Sequence, residues 1–361
     1  MKKNNYIFSV FIIFSIFFFA CEKQTGEISK TYSLNGKEIF ENTHNIENAY
    51  ILDSLLLIKN YAIKDSFAFS LYVPSTNNSY KHLLDFGRIG NGPGEFEDQV
   101  YYTTQYSSQR DLKIWVYELN ENKYSLINLS NTLKNKEMAI DKVIRIKPGV
   151  SFQTLFFIND ETIIGNVNNL DLKMDRLRVY DAVHDTVVKK VKLFPEIKNP
   201  KKNDFVFTQN DYNTIFISDL KYHPKKNKLV SSMYAMDRID VFDLNGNIEH
   251  SINNHKKRIL NVIDYAKRNE IRIYHYGLAL TDNFIYSLHN GGELFSDITD
   301  KNLHNKIKVY DWSYNLKFTM NLDEYISYIT VDEEKGTLIG VSSAEEKILK
   351  YNIKEILNDE I

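Results

Sequence analysis

A single cysteine in 361 residues, Cys21, leaves no partner for a disulfide within the chain. Stability has to come from an apolar core, not from the cross-links on which small secreted domains rely. Proline is scarce, with six residues, and no Ser/Gly-rich stretch interrupts the chain, so nothing marks a linker between two domains. An excess of charge is missing too, with 45 basic against 47 acidic residues. That balance argues against a nucleic-acid binder working by phosphate neutralisation. Basic clusters at 189–192, 198–202, 225–228 and 256–258 are each broken by Asn, Pro or apolar residues or are short, and they read as solvated loop faces. Catalytic signatures are absent as well: no His-Glu-x-x-His, no Gly-x-Ser-x-Gly, no Cys–His pair and no EF-hand loop.

What is present begins at the N-terminus. Lys2 and Lys3 precede fifteen mostly apolar residues, 6–20, and Cys21 follows directly. A charged start, a short apolar run and a small residue before the cut describe an export signal, and the run falls short of the about 20 residues a membrane span needs. Phe18-Phe19-Ala20-Cys21 resembles a bacterial lipobox, with Phe18 where Leu is usual. The expectation is a lipoprotein signal peptide over 1–20, an acylated Cys21 and a polar tether over 21–30. Acyl chains, at about 0.8 kcal/mol per buried methylene, would then hold the protein to the cell envelope, at the outer membrane. Loss of 1–20 leaves 43 of the 45 basic residues, so the charge reading stands.

The remainder, 31–361, repeats one pattern. Leu112-Lys113-Ile114-Trp115-Val116-Tyr117-Glu118 alternates apolar and polar residues, turns through Leu-Asn-Glu-Asn and continues into Lys123-Tyr124-Ser125-Leu126-Ile127. Equivalent pairs start at Arg176, Arg238 and Lys306. Strict alternation over five to seven residues marks half-buried strands, and the Asp/Asn/Gly turns make hairpins. These hairpins are predicted to be the outer pairs of propeller blades. Val116, Val179, Val241 and Val309 fall 63, 62 and 68 residues apart, longer than the roughly 40–50 residues of a typical blade, so insertions are expected. One is a small amphipathic helix over 256–269, with Ile259, Val262, Ile263 and Ala266 on one face.

Blade-like units occupy 47–90, 98–129, 150–193, 213–252 and 274–322. A sixth starts at Tyr325 and lacks an outermost strand. A propeller closes by pairing its ends, so Thr31-Tyr32-Ser33-Leu34 is expected to complete that last blade and cover its edge. The fold class is all-β, a six-bladed β-propeller with short helical insertions.

The glycine-rich stretch Phe86-Gly87-Arg88-Ile89-Gly90-Asn91-Gly92-Pro93-Gly94-Glu95-Phe96 lacks the Gly-Lys-Ser/Thr ending and following helix of a phosphate loop. Its physical default is a tight turn between blades. It resembles the Gly-x-Gly-Pro-Gly-Glu/Gln-Phe signature of NHL-type propellers, and more closely that of the TolB-like six-bladed propeller lipoproteins of Bacteroidetes. Thr281-Asp282-Asn283-Phe284-Ile285-Tyr286-Ser287-Leu288-His289-Asn290-Gly291 agrees with the latter family, as does Val309-Tyr310-Asp311-Trp312 leading to Ile329-Thr330-Val331-Asp332. The chain departs from it at His289, where an aromatic residue is frequent, and at Ser313-Tyr314, where a glycine turn is usual. The resemblance implies a propeller anchored in the envelope, with no established chemistry.

Candidate site residues are few. Arg88 and Glu95 flank the glycines and, with Tyr286 and His289, are the proposed ligand contacts. His275 and His289 lie in one strand pair and could approach Asp282 or Glu293 as a zinc site would require, although a lone strand histidine is more often structural. Asp53-Ser54-Leu55 and Asp185-Thr186-Val187 match a short O-glycosylation pattern of Bacteroidetes, placing Ser54 and Thr186 as acceptors. Two function classes follow. The first is a non-catalytic binding or scaffolding propeller for a peptide, glycan or protein, without cofactor, catalytic residue or metal ligand. The second is a lyase or hydrolase with its site at the axial funnel.

Overall fold

The computed structural model describes residues 30–40, 45–75, 79–92, 94–97, 100–107, 111–147, 150, 152–159, 161–167, 175–192, 217–252, 272–294 and 305–360. The run expected to be a signal peptide, Cys21, the expected tether up to 29 and the helix expected over 256–269 lie outside them.

Two short strands come first, β1 (Lys30–Leu34) and β2 (Lys37–Glu38). Six sheets account for the rest. Blade 1 is β3 (Ile46–Leu52), β4 (Leu55–Asn60), β5 (Phe67–Pro74) and β6 (Tyr80–Arg88). Blade 2 is β7 (Val100–Ser107), β8 (Leu112–Glu118), β9 (Lys123–Asn128) and β10 (Ile140–Arg145), with helix α1 (Leu129–Asn135) between its last two strands. Blade 3 is β11 (Phe152–Phe157), β12 (Thr162–Val167), β13 (Asp175–Asp181) and β14 (Thr186–Lys192). Blade 4 is β15 (Ser218–His223), β16 (Lys228–Met233), β17 (Ile239–Phe242) and β18 (Ile248–Ile252). Blade 5 holds β19 (Arg272–Leu280), β20 (Phe284–Leu294), β21 (Lys306–Asp311) and β22 (Leu316–Leu322), and blade 6 holds β23 (Tyr328–Asp332), β24 (Thr337–Ser342) and β25 (Lys347–Asn352). A second short helix, α2 (Lys354–Glu360), ends the described chain.

Every blade is an antiparallel meander whose first strand lies innermost. Among the described residues each of the six interfaces between blades is filled by its own apolar cluster, from Phe69, Phe96 and Val116 between blades 1 and 2 to Ile58, Ile339 and Ile348 between blades 6 and 1. The last of these closes the ring. The Ile51 amide adds a hydrogen bond to Thr330 Oγ1 across the same seam, at 3.2 Å.

Packing on both faces explains a departure from simple alternation. The outer strand β10 is almost wholly exposed, but β24 is buried throughout, and so is β13 up to Tyr180. The polar positions of β13 and β17 therefore lie inside. Arg176 pairs with Asp240, Arg178 with Asp175 at 3.2 Å, and Arg238 with Asp240 at 2.9 Å. Buried charges persist only when paired in this way.

Two expectations need correction. The hairpin 112–127 is the middle pair of its blade, β8–β9, and β10 beyond α1 is the outer strand; the pairs from Arg176 and Arg238 are outer hairpins as expected, and the pair from Lys306 is covered by one further strand. Strand β1, carrying Thr31–Leu34, adds a fifth strand to blade 5 beside β22, not to blade 6. Blade 6 is completed by β2, where Lys37 faces Lys350 and Glu38 faces Leu349 in the β25 ladder. The chain thus covers two outer edges in succession before it enters blade 1.

The glycine stretch is an inter-blade turn. Gly87 has φ +70, and a Cβ there would lie 2.4 Å from the Phe96 ring. Tyr314 also has φ +70, in the turn where the resembling family uses glycine, and its ring stacks on His250 of blade 4 at 4.2 Å. Left-handed backbone costs a side-chain-bearing residue about 1–2 kcal/mol, which the stack helps to offset.

Candidate functional site

First strands begin at one end of the propeller, the end that also carries the loops from each second strand to its third. A cavity of about 360 Å³ opens there on the axis. Its wall takes Tyr50 from β3, Tyr102 from β7, Thr154 from β11, Asp219 and Lys221 from β15, Tyr276 from β19 and Tyr328 from β23. The second-to-third loops add Tyr61, Leu119, Tyr234 and Ser343. All six blades contribute, so this site exists only in the closed ring.

The rings of the lining meet in two groups. Tyr50 lies 4.2 Å from Tyr102 and 5.3 Å from Tyr328, centroid to centroid, and Tyr234 stacks on Tyr276 at 5.4 Å. Burial pushes the phenols of Tyr50, Tyr234 and Tyr328 well up, with nearby phenols or Asp219 adding to it. They remain neutral hydrogen-bonding groups at any ordinary pH. The charged groups of the wall are paired. Glu47 holds Lys59, whose ammonium lies 4.4 Å over the Tyr101 ring. Lys221 lies 3.4 Å from Asp219, donates to the Tyr328 hydroxyl at 3.1 Å and sits 5.0 Å over that ring. Asp219 in turn accepts from the Leu278 amide at 2.8 Å, tying blade 4 to blade 5.

A second cluster lies between those two blades. The loop joining β16 to β17 carries Tyr234 to the cavity wall and, three residues on, Asp237 to His275 and His289. The histidines face each other in the β19–β20 ladder, and both Nε2 atoms approach Asp237 Oδ1, at 3.1 and 3.6 Å. These three residues are a group of donors within metal-ligating reach. The surroundings do not suit an ion. The Gly291 amide donates to His289 Nδ1 at 2.9 Å, and Nε2 of the same ring faces both Asp237 and the Lys308 ammonium. Lys308 already brings a positive charge to the spot, 2.9 Å from His289 Nε2 and 3.8 Å from Asp237. The Ser287 hydroxyl, 2.7 Å from His275 Nδ1, completes a carboxylate-centred network. Burial, partly offset by Asp237, lowers His275 to about 4 and also lowers His289. Asp237 is raised by burial, but the histidine hydrogen bonds and the Lys308 charge outweigh that and hold it well below the usual carboxylate range.

The structure does not bring the other sequence candidates together in one place. Arg88 ends the outer strand of blade 1, half exposed, 3.2 Å from Asp65 and 3.6 Å from Glu95. Glu95 turns inward and accepts from the Gly92 amide at 2.7 Å, so its carboxylate pins the glycine turn. Tyr286 and His289 belong to β20 in blade 5, which is not adjacent to blade 1. Tyr286 is fully buried and donates to Glu333 at 2.9 Å, so it is not exposed to a ligand. Nor does Asp282 approach the histidine pair. It holds His223 at 3.3 Å and Lys225 at 2.6 Å. Glu293 faces Ile273 along the ladder. Ser54 and Thr186 are exposed beside hairpin turns.

No family model matches the chain, and no curated protein matches it. Among solved structures it is similar to a member of the DUF4221 family from Bacteroides vulgatus, with a TM-score of 0.55 and 14% identity over 88% of this chain and 95% of that one. A protein from Bacteroides fragilis, described as exported, gives a TM-score of 0.50 at 13% identity over 89% and 98%. Raptor from Chaetomium thermophilum gives 0.51 at 10% identity, covering 90% of this chain and 29% of that protein. At these identities the likeness is one of fold: a six-bladed β-propeller, shared with Bacteroides proteins.

Proposed function

We propose that this chain is an envelope-anchored binding propeller of the TolB-like or NHL-like kind, held by lipid on Cys21 and taking a small ligand in its axial cavity. The observation that carries the binding role is the cavity itself, lined by all six blades and rich in tyrosine. Its volume falls at the low end of the about 300–1,000 Å³ usual for small-molecule sites. Aromatic faces combined with fixed hydrogen-bonding groups suit recognition without chemistry. The anchor rests on the charged start, the short apolar run and the lone cysteine, and the exported description of one Bacteroides neighbour agrees with it.

Ligand-observed NMR against a mixed panel of dipeptides, disaccharides and nucleosides tests the site. Ser343→Trp places an indole in the cavity from a half-buried loop position without removing core side chains. Binding that disappears in this variant supports the reading. A panel in which nothing binds, or binding indifferent to the variant, overturns it. The enzymatic alternative has a weaker basis, since Asp237, His275 and His289 lie outside the cavity wall and His275 is fully buried.

A further inference from the structure

We infer that the ligand of the axial cavity is an uncharged saccharide of one or two rings, an inference that rests on the cavity being a ligand site. Three features of the wall converge on this chemistry.

The first is electrostatic. Glu47 is paired with Lys59, and Asp219 with Lys221. A ligand bearing a full charge would have to break one of these pairs to find its counterion, leaving the other member desolvated at a cost of several kcal/mol. A neutral ligand leaves both intact and uses only their spare lone pairs and N–H groups.

The second is the state of the rings. A Tyr-lined cage could also attract a cation, but the protein's own lysines already lie over Tyr101 and Tyr328, at 4.4 and 5.0 Å. Those quadrupoles are satisfied. What the tyrosines still offer is apolar face and a phenol at its edge. A pyranose presents the same combination, with a C–H face bounded by hydroxyl groups.

The third is the set of polar groups around the rings. Asn48, Gln153, Thr154, Ser327 and Ser343 supply both donors and acceptors. A polyol needs that duality, since each hydroxyl donates once and accepts twice. A free peptide would instead call for an unpaired charge at either end. The cavity volume of about 360 Å³ admits a short sugar and excludes a folded partner.

The test is saturation-transfer NMR on the folded protein with cellobiose, maltose, lactose and N,N′-diacetylchitobiose, beside a glucuronic-acid disaccharide and two dipeptides of similar size. At least one neutral disaccharide should bind, lose its signal in Ser343→Trp, and weaken about tenfold in Asn48→Ala or Gln153→Ala, the loss expected of one hydrogen bond. Its affinity should not change with added salt, unlike that of a charged ligand. Circular dichroism and melting temperature confirm that each variant is folded. If a dipeptide or the acidic disaccharide binds in the cavity and no neutral sugar does, the saccharide inference fails and the binding role stands. If no probe of any class binds, both fail.

Discussion

His275 should make the fold acid-sensitive well above the range in which carboxylates titrate. In the unfolded chain its pKa is about 6.5; in the fold, burial lowers it to about 4. Between these values the unfolded chain binds a proton at this site that the native protein refuses, so stability falls as pH falls through 6.5 and levels off below about 4. The gap corresponds to about 3 kcal/mol in full, of which about 2 kcal/mol is already lost at pH 5. For a domain whose total stability is of the order of 5–15 kcal/mol this is a large share. His289 and His223, both lowered by burial, act in the same direction. Asp237 stays ionised throughout this window, because its pKa lies well below it. His275→Gln keeps a donor for Asp237 and an acceptor for Ser287 but cannot titrate. Urea denaturation of wild type and variant, each at about pH 7 and about pH 5, reads the difference. The loss on acidification should shrink by about 2 kcal/mol in the variant. Equal losses in the two proteins would refute the assignment of this linkage to His275.

Deleting 347–361 removes β25 and α2, including Ile348, Leu349, Tyr351, Ile353, Ile356 and Leu357, all buried. At about 1.5–3 kcal/mol for each buried side chain this approaches or exceeds the stability of the whole domain, so the truncated chain should lack a cooperative melt; an unchanged melting temperature would rule out ring closure as a source of stability. Gly87→Ala combines a left-handed φ with a clash against Phe96, whereas Gly94→Ala meets the same backbone problem at φ +78 with no neighbour within 4 Å. Thermal melts should show Gly94→Ala losing about 1 kcal/mol and Gly87→Ala clearly more, and equal losses would mean that crowding at Phe96 is unimportant. Cys21→Ala should release the protein from membranes or block its processing; retention in the membrane fraction after a high-salt wash would place the anchor elsewhere.

Local pattern made much of this fold readable. Alternation and Asp/Asn/Gly turns are properties of a few adjacent residues, and they identified hairpins in β13–β14, β17–β18 and β21–β22. They misassigned blade 2, because α1 intervenes before β10 and the middle hairpin carries the same alternation as an outer one. The glycine turn was also legible, since φ +70 at Gly87 excludes most other residues. The histidine pair was visible from its strand pair. Its carboxylate was not, because Asp237 lies 38 residues before His275 on the preceding blade. Four cavity tyrosines gave a faint signal, since Tyr50, Tyr102, Tyr276 and Tyr328 each lie on a first strand. That signal gains meaning only with correct blade boundaries.

The sequence by itself determined the elements: which segments are strands, where they turn, that they repeat about six times, and that no disulfide or charge excess supports them. These follow from side-chain periodicity and turn chemistry, which act over a few residues. Only the tertiary structure decided which edges β1 and β2 cover, why Arg176 and Asp240 are buried together, and which side chains meet at the axis. Those outcomes depend on closing a ring, where each blade packs against two others and residues distant in the chain become neighbours. A one-dimensional pattern specifies the faces of a strand, but the closed ring determines what each face meets.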